Sequence, residues 1–418
     1  MQAINFQDHD LHLSRSSSPR SNRLGKACII ICFTFSVFLA LKRLGSNFDH
    51  SSAHFVEGVE PVNTKSQATR RCYSSIADFS RPLDGEWKET LTQPPWWKLQ
   101  CKYQPATSSC AYHEYPVNKR ALRLAKSRFV PYKCDLEAFN ADLFLRALKG
   151  KQLVIAGDSL SQQLFHSLLC RIEAYVVEEH IPWGNISQKM KGWCGINKKC
   201  MPDNGVHSHY LEAPENPVWV ICRHNVTIRF VSIKGEAWLD KLDFISSFTR
   251  HSDLLILNKG AWRQKGYPAF KTSMEELASY MVANRKLMPT TWWRETNPQH
   301  FQGPNGDYVP GKKLPPSAKT CVKPARQRLK VHHEDPVNKI SNYVINSINI
   351  PIMYSAHSMM SAHDAHTFTG GLDCTHLCTP GVEVMWIDVL YGWLTSAHAQ
   401  TYLSCPHMTS GSATCGAY

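Results

Sequence analysis

The middle and C-terminal parts of this 418-residue chain alternate between short apolar runs typical of strands and segments with helical spacing. The run 153–156 predicts a buried strand, and 160–169 carries apolar residues three and four positions apart, as a helix does. Alternation of this kind predicts an α/β fold, with a mostly parallel sheet between helices on both faces. Ligands of such sheets bind at the carboxyl ends of the strands.

Later segments continue the alternation. Strands are predicted at 218–223, 227–233, 253–258, 290–295 and 350–356. Helices are predicted from the capping box "SMEE" at 273–276 to about Met288, over 336–349, and over the amphipathic segment 382–394. The Pro-, Gly- and Lys-rich stretch 298–330 is too long for an ordinary connection and is a candidate substrate loop.

The N-terminal region predicts a membrane anchor. An uncharged apolar run at 27–41 follows a basic, Ser-rich segment and precedes Lys42 and Arg43. Because basic residues stay in the cytosol, we expect a cytosolic tail (1–26), a transmembrane signal anchor (27–41) and a lumenal stem (42–71). A cleaved signal peptide is the alternative.

Cysteine usage agrees with a lumenal location. Two of the 15 cysteines lie in the apolar run and the others follow it, which is typical of disulfides formed in an oxidising compartment. We expect a Cys-rich subdomain at 72–134 and a catalytic domain at 135–418. Asn185 and Asn225 begin glycosylation triplets.

The formal net charge is +13, but no recognised nucleic-acid motif gathers the basic residues, so nucleic acid is not an expected partner.

"GDS" at 157–159 places a serine where the first predicted strand turns into a helix. The unpaired N–H groups at a helix start can stabilise an oxyanion, so Ser159 is a candidate nucleophile. The alternative is that Asp158 or Ser159 only caps the helix. A nucleophilic serine also needs a base, and "DCTH" supplies Asp373 and His376 three residues apart, a spacing that lets the carboxylate orient the imidazole.

Taken together, several blocks resemble the plant trichome-birefringence-like family, the PC-esterase branch of the GDSL/SGNH acyl-esterases. They are "RFVPYKCDLEAFN", "LKGKQLVIAGDSLSQQLFHSLLC", "DLLILNKGAW", "TWWRETNPQHF", "DAH" and "DCTHLCTPGVEVMWIDVLY". The resemblance implies an SGNH-hydrolase-like three-layer sandwich. Two departures are Lys259 and Ala261 in place of the family's common Thr and His, and a third is Leu377 in place of Trp.

The same resemblance implies roles for individual residues. Ser159 would be the nucleophile, His376 the base and Asp373 its orienting acid. The oxyanion donors would be Ser159, Gly260 and Asn258. Apart from the resemblance, further candidates for substrate binding are Asp158, Trp262 and Arg294, although Arg294 could form an ordinary ion pair. Asp364 and His366 of the family's "DAH" block are candidates as well, although this pair could be structural.

The implied activity is O-acetylation of a polysaccharide in the Golgi lumen by a single-pass type II protein. No tightly bound cofactor is expected, but an acetyl donor is required, either acetyl-CoA or an acetylated intermediate that a membrane protein could deliver. An esterase of the same fold and a non-catalytic polysaccharide-binding protein are the alternatives. Histidines and cysteines between His357 and Cys378 are a further candidate, a zinc site, but their spacing fits no standard pattern. No metal is therefore expected.

Overall fold

The central sheet has seven strands, and its middle strand carries the "GDS" turn. A computed structural model describes residues 70–73, 81–89, 101, 103, 126–181, 218–233, 238–261, 266–303, 306–308, 321–323, 335–368, 372–379, 381–396, 399 and 403. The predicted tail and anchor, and nearly all of the stem, lie outside them. No helix in this described part combines the length and apolar character needed to cross a membrane.

The strands follow one another along the chain with helices between most of them. A separate antiparallel ribbon precedes the sheet and is formed by β1 (Gly85–Glu89) and β2 (Ser127–Pro131). The sheet consists of β3 (Gln152–Gly157), β4 (Val176–His180), β5 (Val218–Cys222), β6 (Val226–Ser232), β7 (Leu254–Leu257), β8 (Thr290–Arg294) and β9 (Ile352–Met353). Their spatial order is β4-β5-β6-β3-β7-β8-β9.

The sheet is mixed rather than uniformly parallel. Strand β3 pairs in parallel with β6 and β7, and β8 and β9 continue the parallel part. Strands β4, β5 and β6 pair antiparallel. Only the short turn Arg223–Asn225 joins β5 to β6, with φ of 66° at His224 and 56° at Asn225. A parallel crossover needs a dozen or more residues. A turn of this length therefore requires antiparallel pairing.

Helices cover both faces of the sheet. They are α1 (Ala141–Ala147), α2 (Ser159–Ile172), α3 (Trp238–Phe248), α4 (Gly266–Ala283), α5 (Pro336–Ser347), α6 (Ala356–Met359) and α7 (Val384–Leu394). Alternate residues of β3 enter two separate cores. Leu153 and Ile155 join the core that contains α2 and α7. Val154 and Ala156 join the core that contains α3, α4 and α5. The predicted three-layer arrangement is confirmed.

Two helix predictions need correction. Helix α4 begins at Gly266 and ends at Ala283, so the capping-box sequence at 273–276 lies inside it rather than at its start. Helix α7 is not amphipathic, because all of its 11 residues are buried. A helix that is buried on every side belongs in an interior, and α7 packs in the same core as α2.

Disulfides connect the N-terminal segments and one loop to the α/β body. Cys72 bonds to Cys134, and Cys101 bonds to Cys170 near the end of α2. Cys321 bonds to Cys374 in a strand described below. The prediction of disulfides is confirmed. Among the described cysteines only Cys222 is free, and burial raises the pKa of its thiol to about 12.

Candidate active site

The nucleophile candidate, Ser159, is the first residue of α2. Gly157 precedes it with φ of 150°, and a Cβ there would lie 2.4 Å from Ser161 Oγ and 2.5 Å from the Asn258 carbonyl oxygen. Only glycine therefore fits this close approach of two chain segments. Asp158 is the N-cap, because its Oδ1 accepts a hydrogen bond from the Leu160 N–H at 3.0 Å. The Ser159 hydroxyl is thus left for another partner.

That partner is His376, which lies 217 residues further along the chain. His376 and Asp373 belong to β11 (Leu372–Leu377), which forms a hairpin with β10 (His366–Phe368). His376 Nε2 is 2.6 Å from Ser159 Oγ, and its Nδ1 is 2.5 Å from Asp373 Oδ2. Since a carboxylate only accepts, Nδ1 carries the proton and Nε2 accepts from the serine. The three predicted residues form one hydrogen-bonded chain.

Charges within this chain favour a charged imidazole during proton transfer. Burial alone would raise the pKa of Asp373, but the hydrogen bond and charge of His376 outweigh it and hold the pKa at about 2. The main-chain N–H groups of Thr375 and His376 help by donating to Asp373 Oδ1 at 2.9 and 3.2 Å. Burial opposes the charge on His376, yet its bond to Asp373 raises its pKa above the ordinary value.

The pair of side chains remains open to a substrate. The His376 side chain is 24% exposed and that of Asp373 is 29% exposed. A substrate carbonyl can therefore approach Ser159 from the side on which the imidazole lies. In the first turn of α2 the N–H groups of Leu160, Ser161 and Gln162 already donate to Asp158, so the oxyanion role of this turn stays a prediction for the Ser159 N–H.

The residues predicted to complete the oxyanion site differ in their placement. Asn258 is buried, and its Nδ2 donates to the Arg294 carbonyl oxygen at 2.9 Å and to Thr296 Oγ1 at 3.0 Å. Both amide hydrogens are used there, so Asn258 does not donate to an oxyanion, which corrects that prediction. Gly260 lies three residues beyond the end of β7, and its donor role stays a prediction.

Gly260→Ala is expected to damage this site. The φ of Gly260 is 153°, and a Cβ would lie 2.4 Å from Thr296 Oγ1 and 2.6 Å from Val337 Cγ1. The loop must shift, so we expect a stability loss of about 1–3 kcal/mol. Urea titration measures this loss. Gly266→Ala is the control for backbone strain alone, because Gly266 also has a positive φ, of 77°, but a Cβ there has its nearest contact at 3.9 Å. Equal unfolding midpoints for the two variants would contradict the prediction.

Four of the predicted substrate-binding residues are buried: Asp158, Arg294, Asp364 and His366. Their side chains do not reach the surface in this structure, so the prediction that they contact a polysaccharide directly is wrong. Asp158 Oδ2 accepts from the Ala261 N–H at 3.3 Å and so ties α2 to the loop after β7. Trp262 lies outside the described residues.

Arg294 supports the serine turn from beneath. It is fully buried, lies 4.3 Å over the Trp386 ring, and donates from Nη2 to Ser161 Oγ at 3.3 Å. Burial lowers its pKa to about 10, and the charge of Asp158 opposes this. Conversely, burial raises the pKa of Asp158 and the charge of Arg294 lowers it. These two charges stabilise each other inside the protein, next to the site rather than in it.

Two glutamines that the sequence analysis did not single out position the His376 strand. Gln163 donates to the Leu377 carbonyl oxygen at 2.6 Å and accepts from the Leu377 N–H at 3.3 Å. Gln299 donates to Thr375 Oγ1 at 2.9 Å. Gln163 follows Ser159 by four residues and so lies on the same face of α2, a signal present in the sequence. Its partner became visible only in the structure.

Trp292, Trp293 and the cysteines of the candidate zinc site have structural roles. Trp292 and Trp293 are 1% exposed and lie in the two cores on opposite faces of the sheet. Cys374 and Cys378 are both disulfide-bonded, which removes them as zinc ligands. Within the described ranges, no three His, Cys, Asp or Glu side chains are grouped as a metal site would require.

A three-layer α/β fold with a Ser–His–Asp chain beside the end of its middle strand defines a protein of the esterase or acyltransferase type. Residues 136–267 match the PC-Esterase family, described as a GDSL/SGNH-like acyl-esterase family found in Pmr5 and Cas1p. This segment is therefore similar to a PC-esterase domain.

The relatives are plant proteins. Over 299 residues the chain is 27% identical to "Protein trichome birefringence-like 42" of Arabidopsis thaliana, covering 64% of this chain and 77% of the relative. It is 23% identical over 340 residues to "Protein trichome birefringence-like 38" of the same plant, covering 75% and 83%. The chain is thus a relative of the trichome-birefringence-like proteins, which confirms the resemblance.

Among solved structures, a mutant of Axe2, an acetyl-xylooligosaccharide esterase from Geobacillus Stearmophilus, matches with 11% identity and a TM-score of 0.28. The match covers 59% of this chain and 94% of that one. A likeness this low supports no argument about function.

Proposed function

We propose that this protein is an O-acetyltransferase that moves an acetyl group, through an acyl-enzyme on Ser159, to a hydroxyl of a cell-wall polysaccharide. The observation that carries the proposal is the hydrogen-bonded chain from Ser159 through His376 to Asp373, with distances of 2.6 and 2.5 Å. A nucleophile, its base and the group that orients the base are the parts that covalent acyl transfer requires.

In the first half-reaction, Ser159 Oγ attacks the carbonyl carbon of the acetyl donor while His376 Nε2 takes the hydroxyl proton. Asp373 stabilises the imidazolium that forms. In this proposal the negative charge on the carbonyl oxygen is stabilised by the N–H groups of Ser159 and Gly260. The donor's leaving group departs with the proton from His376, and the acetyl group stays on Ser159.

In the second half-reaction, a sugar hydroxyl attacks the acetyl-serine. His376 removes the proton of that hydroxyl, and collapse of the tetrahedral intermediate returns it to Ser159 Oγ. Water can take the place of the sugar, in which case the product is free acetate. Direction is therefore set by which nucleophile the acyl-enzyme receives, and the family resemblance supports the sugar.

The setting of the reaction is part of the proposal. We propose a Golgi membrane protein anchored by residues 27–41, with the catalytic domain in the lumen, where disulfides form. The donor would be acetyl-CoA or an acetylated intermediate supplied by a membrane protein, and the chain itself would hold no tightly bound cofactor.

Mass spectrometry of the full chain tests both steps. The protein is incubated with 4-nitrophenyl acetate or acetyl-CoA, digested and searched for an acetyl group on Ser159, and a panel of cell-wall oligosaccharides is then added. Transfer to one oligosaccharide faster than to water supports the transferase. Loss to water alone favours an esterase. Absence of any adduct with either donor, in a folded protein, would contradict acyl-enzyme chemistry.

The rate of this reaction is expected to fall as the pH falls through the pKa of His376. The base must be neutral to accept a proton, and Asp373 raises its pKa above the ordinary histidine value of 6.5. The acid limb of kcat/KM reports this pKa in the free enzyme. In Asp373→Asn the residual activity should show an acid limb at lower pH, because the negative charge is gone. An unchanged limb would point to another titrating group.

A further inference from the structure

Two buried histidines form a hydrogen-bonded row behind the base. His366 Nδ1 is 2.9 Å from the main-chain carbonyl oxygen of His376, and its Nε2 is 2.7 Å from His300 Nδ1. His300 Nε2 in turn is 3.0 Å from the Met360 carbonyl oxygen. Both rings are almost fully buried, with 5% exposure for His366 and 2% for His300. The row therefore ends at a carbonyl oxygen on each side.

Counting protons determines what this row must contain. A carbonyl oxygen only accepts, so each of the two outer nitrogens needs a hydrogen. The inner contact of 2.7 Å needs one hydrogen as well, since two lone pairs would otherwise face each other. Three hydrogens on two imidazole rings are one more than two neutral rings carry. One of the rings must be an imidazolium if all three contacts are hydrogen bonds.

The surroundings indicate which ring carries the charge. Burial lowers the pKa of His366 to about 4, and the charges of His376 and His363 lower it further, against Asp373 and the His376 carbonyl. His366 is therefore neutral, with its one proton on Nδ1 facing His376. Its unprotonated Nε2 must accept a hydrogen bond from His300 Nδ1. His300 then donates from both nitrogens.

We propose that His300 is a buried imidazolium and that, through neutral His366, it positions the main chain of the base His376. Two charge-assisted hydrogen bonds, to His366 Nε2 and to the Met360 carbonyl, offset the cost of burying the charge. The ring of His363 lies 6.3 Å from that of His300 and is not part of the row. This role rests on the proposed function, because it concerns the base of that reaction.

The row acts on the position of His376 rather than on its charge alone. His366 holds the His376 carbonyl, Gln163 holds the next peptide through Leu377, and Asp373 holds the imidazole. The His300 main chain also joins the strand, since its N–H donates to the Cys374 carbonyl oxygen at 3.0 Å. His300 and His366 are thus positioning residues, and neither touches the reacting atoms.

Nitrogen NMR of the full chain, labelled with ¹⁵N-histidine at pH 8, tests the charge without any substrate. Ordinary histidines are neutral at that pH, because their pKa is about 6.5. We expect the wild-type spectrum to show one imidazole ring with both nitrogens protonated. The signals of that ring should disappear in His300→Gln and persist in His363→Gln. Gln keeps a donor at the Nε2 position but cannot carry the charge. A wild-type spectrum without such a ring, or one that is unchanged in folded His300→Gln, would overturn the proposal.

His366→Asn supplies a second spectrum if His300→Gln fails to fold. Asn keeps a donor near the Nδ1 position for the His376 carbonyl but removes the acceptor for His300, so the doubly protonated ring should vanish. Its persistence in folded His366→Asn would also overturn the proposal.

The positioning role is tested with 4-nitrophenyl acetate as the probe. His366→Leu should lower kcat by about 10²-fold with little change in KM, since it misplaces the base. His366→Asn should restore most of that loss. Equal kcat values for folded Leu and Asn variants would refute positioning through this hydrogen bond. If the wild type cleaves no acetyl ester, the proposed function fails, whereas the NMR result still decides the charge on His300.

Discussion

Replacement of Ser159 by alanine is expected to lower acetyl turnover by about 10⁶-fold, the loss typical of removing the nucleophile of a serine-based triad. Without the hydroxyl no acetyl-serine forms, and His376 Nε2 loses the partner that it now has at 2.6 Å. The measurement is kcat with 4-nitrophenyl acetate, together with mass spectrometry of the acetyl adduct.

Ser161→Ala is the matched control for this experiment. Ser161 is a buried serine on the same helix, two residues further on, and its hydroxyl contacts Arg294 and the Ala156 carbonyl oxygen. Loss of these weak bonds costs about 1 kcal/mol of stability. An acetyl adduct that survives Ser159→Ala and disappears in folded Ser161→Ala would show that the nucleophile is assigned to the wrong serine.

Asp373→Asn should lower kcat by about 10⁴-fold while the protein stays folded. Asp373 now accepts the Nδ1 proton of His376 at 2.5 Å, which leaves Nε2 free to take the serine proton. An asparagine amide that donates to Nδ1 would move the imidazole proton to Nε2, where it blocks that step. The kinetics are measured with the same ester, and the melting temperature is compared with that of the wild type.

A control for the second prediction is Asp335→Asn. Asp335 caps α5 by accepting from the Val337 N–H at 2.9 Å, and asparagine caps helices about equally well. The control should therefore keep both its kcat and its melting temperature. If Asp373→Asn retained a rate near wild type, another group would have to orient His376.

Sequence patterns were most informative where a local periodicity was strong. The apolar run of β3 and the helical spacing of α2 identified both elements, and the short turn between them placed Ser159 at a strand end. The start of α4 was missed because "SMEE" satisfies a capping rule that the helix, already begun at Gly266, does not need. Local rules do not report whether a helix has started earlier.

Site residues were harder to predict when their roles depended on partners. Arg294 has the charge that an acceptor site could use, but the structure packs it against Trp386 and Ser161, where no solvent reaches. Asn258 follows a strand, as an oxyanion donor would, yet its amide is turned toward Arg294 and Thr296. Residue type and strand position do not determine the direction of a side chain.

The sequence by itself determined the strand and helix alternation, the turn that carries Ser159, and the three-residue spacing of Asp373 and His376, because each depends on neighbours in the chain. Only the tertiary structure decided that His376 meets Ser159 across 217 residues. It also decided that β4 pairs antiparallel with β5 and that His300 and His366 form one row. These outcomes depend on which surfaces pack together and which buried polar groups find partners, and a periodicity reports burial without naming the partner.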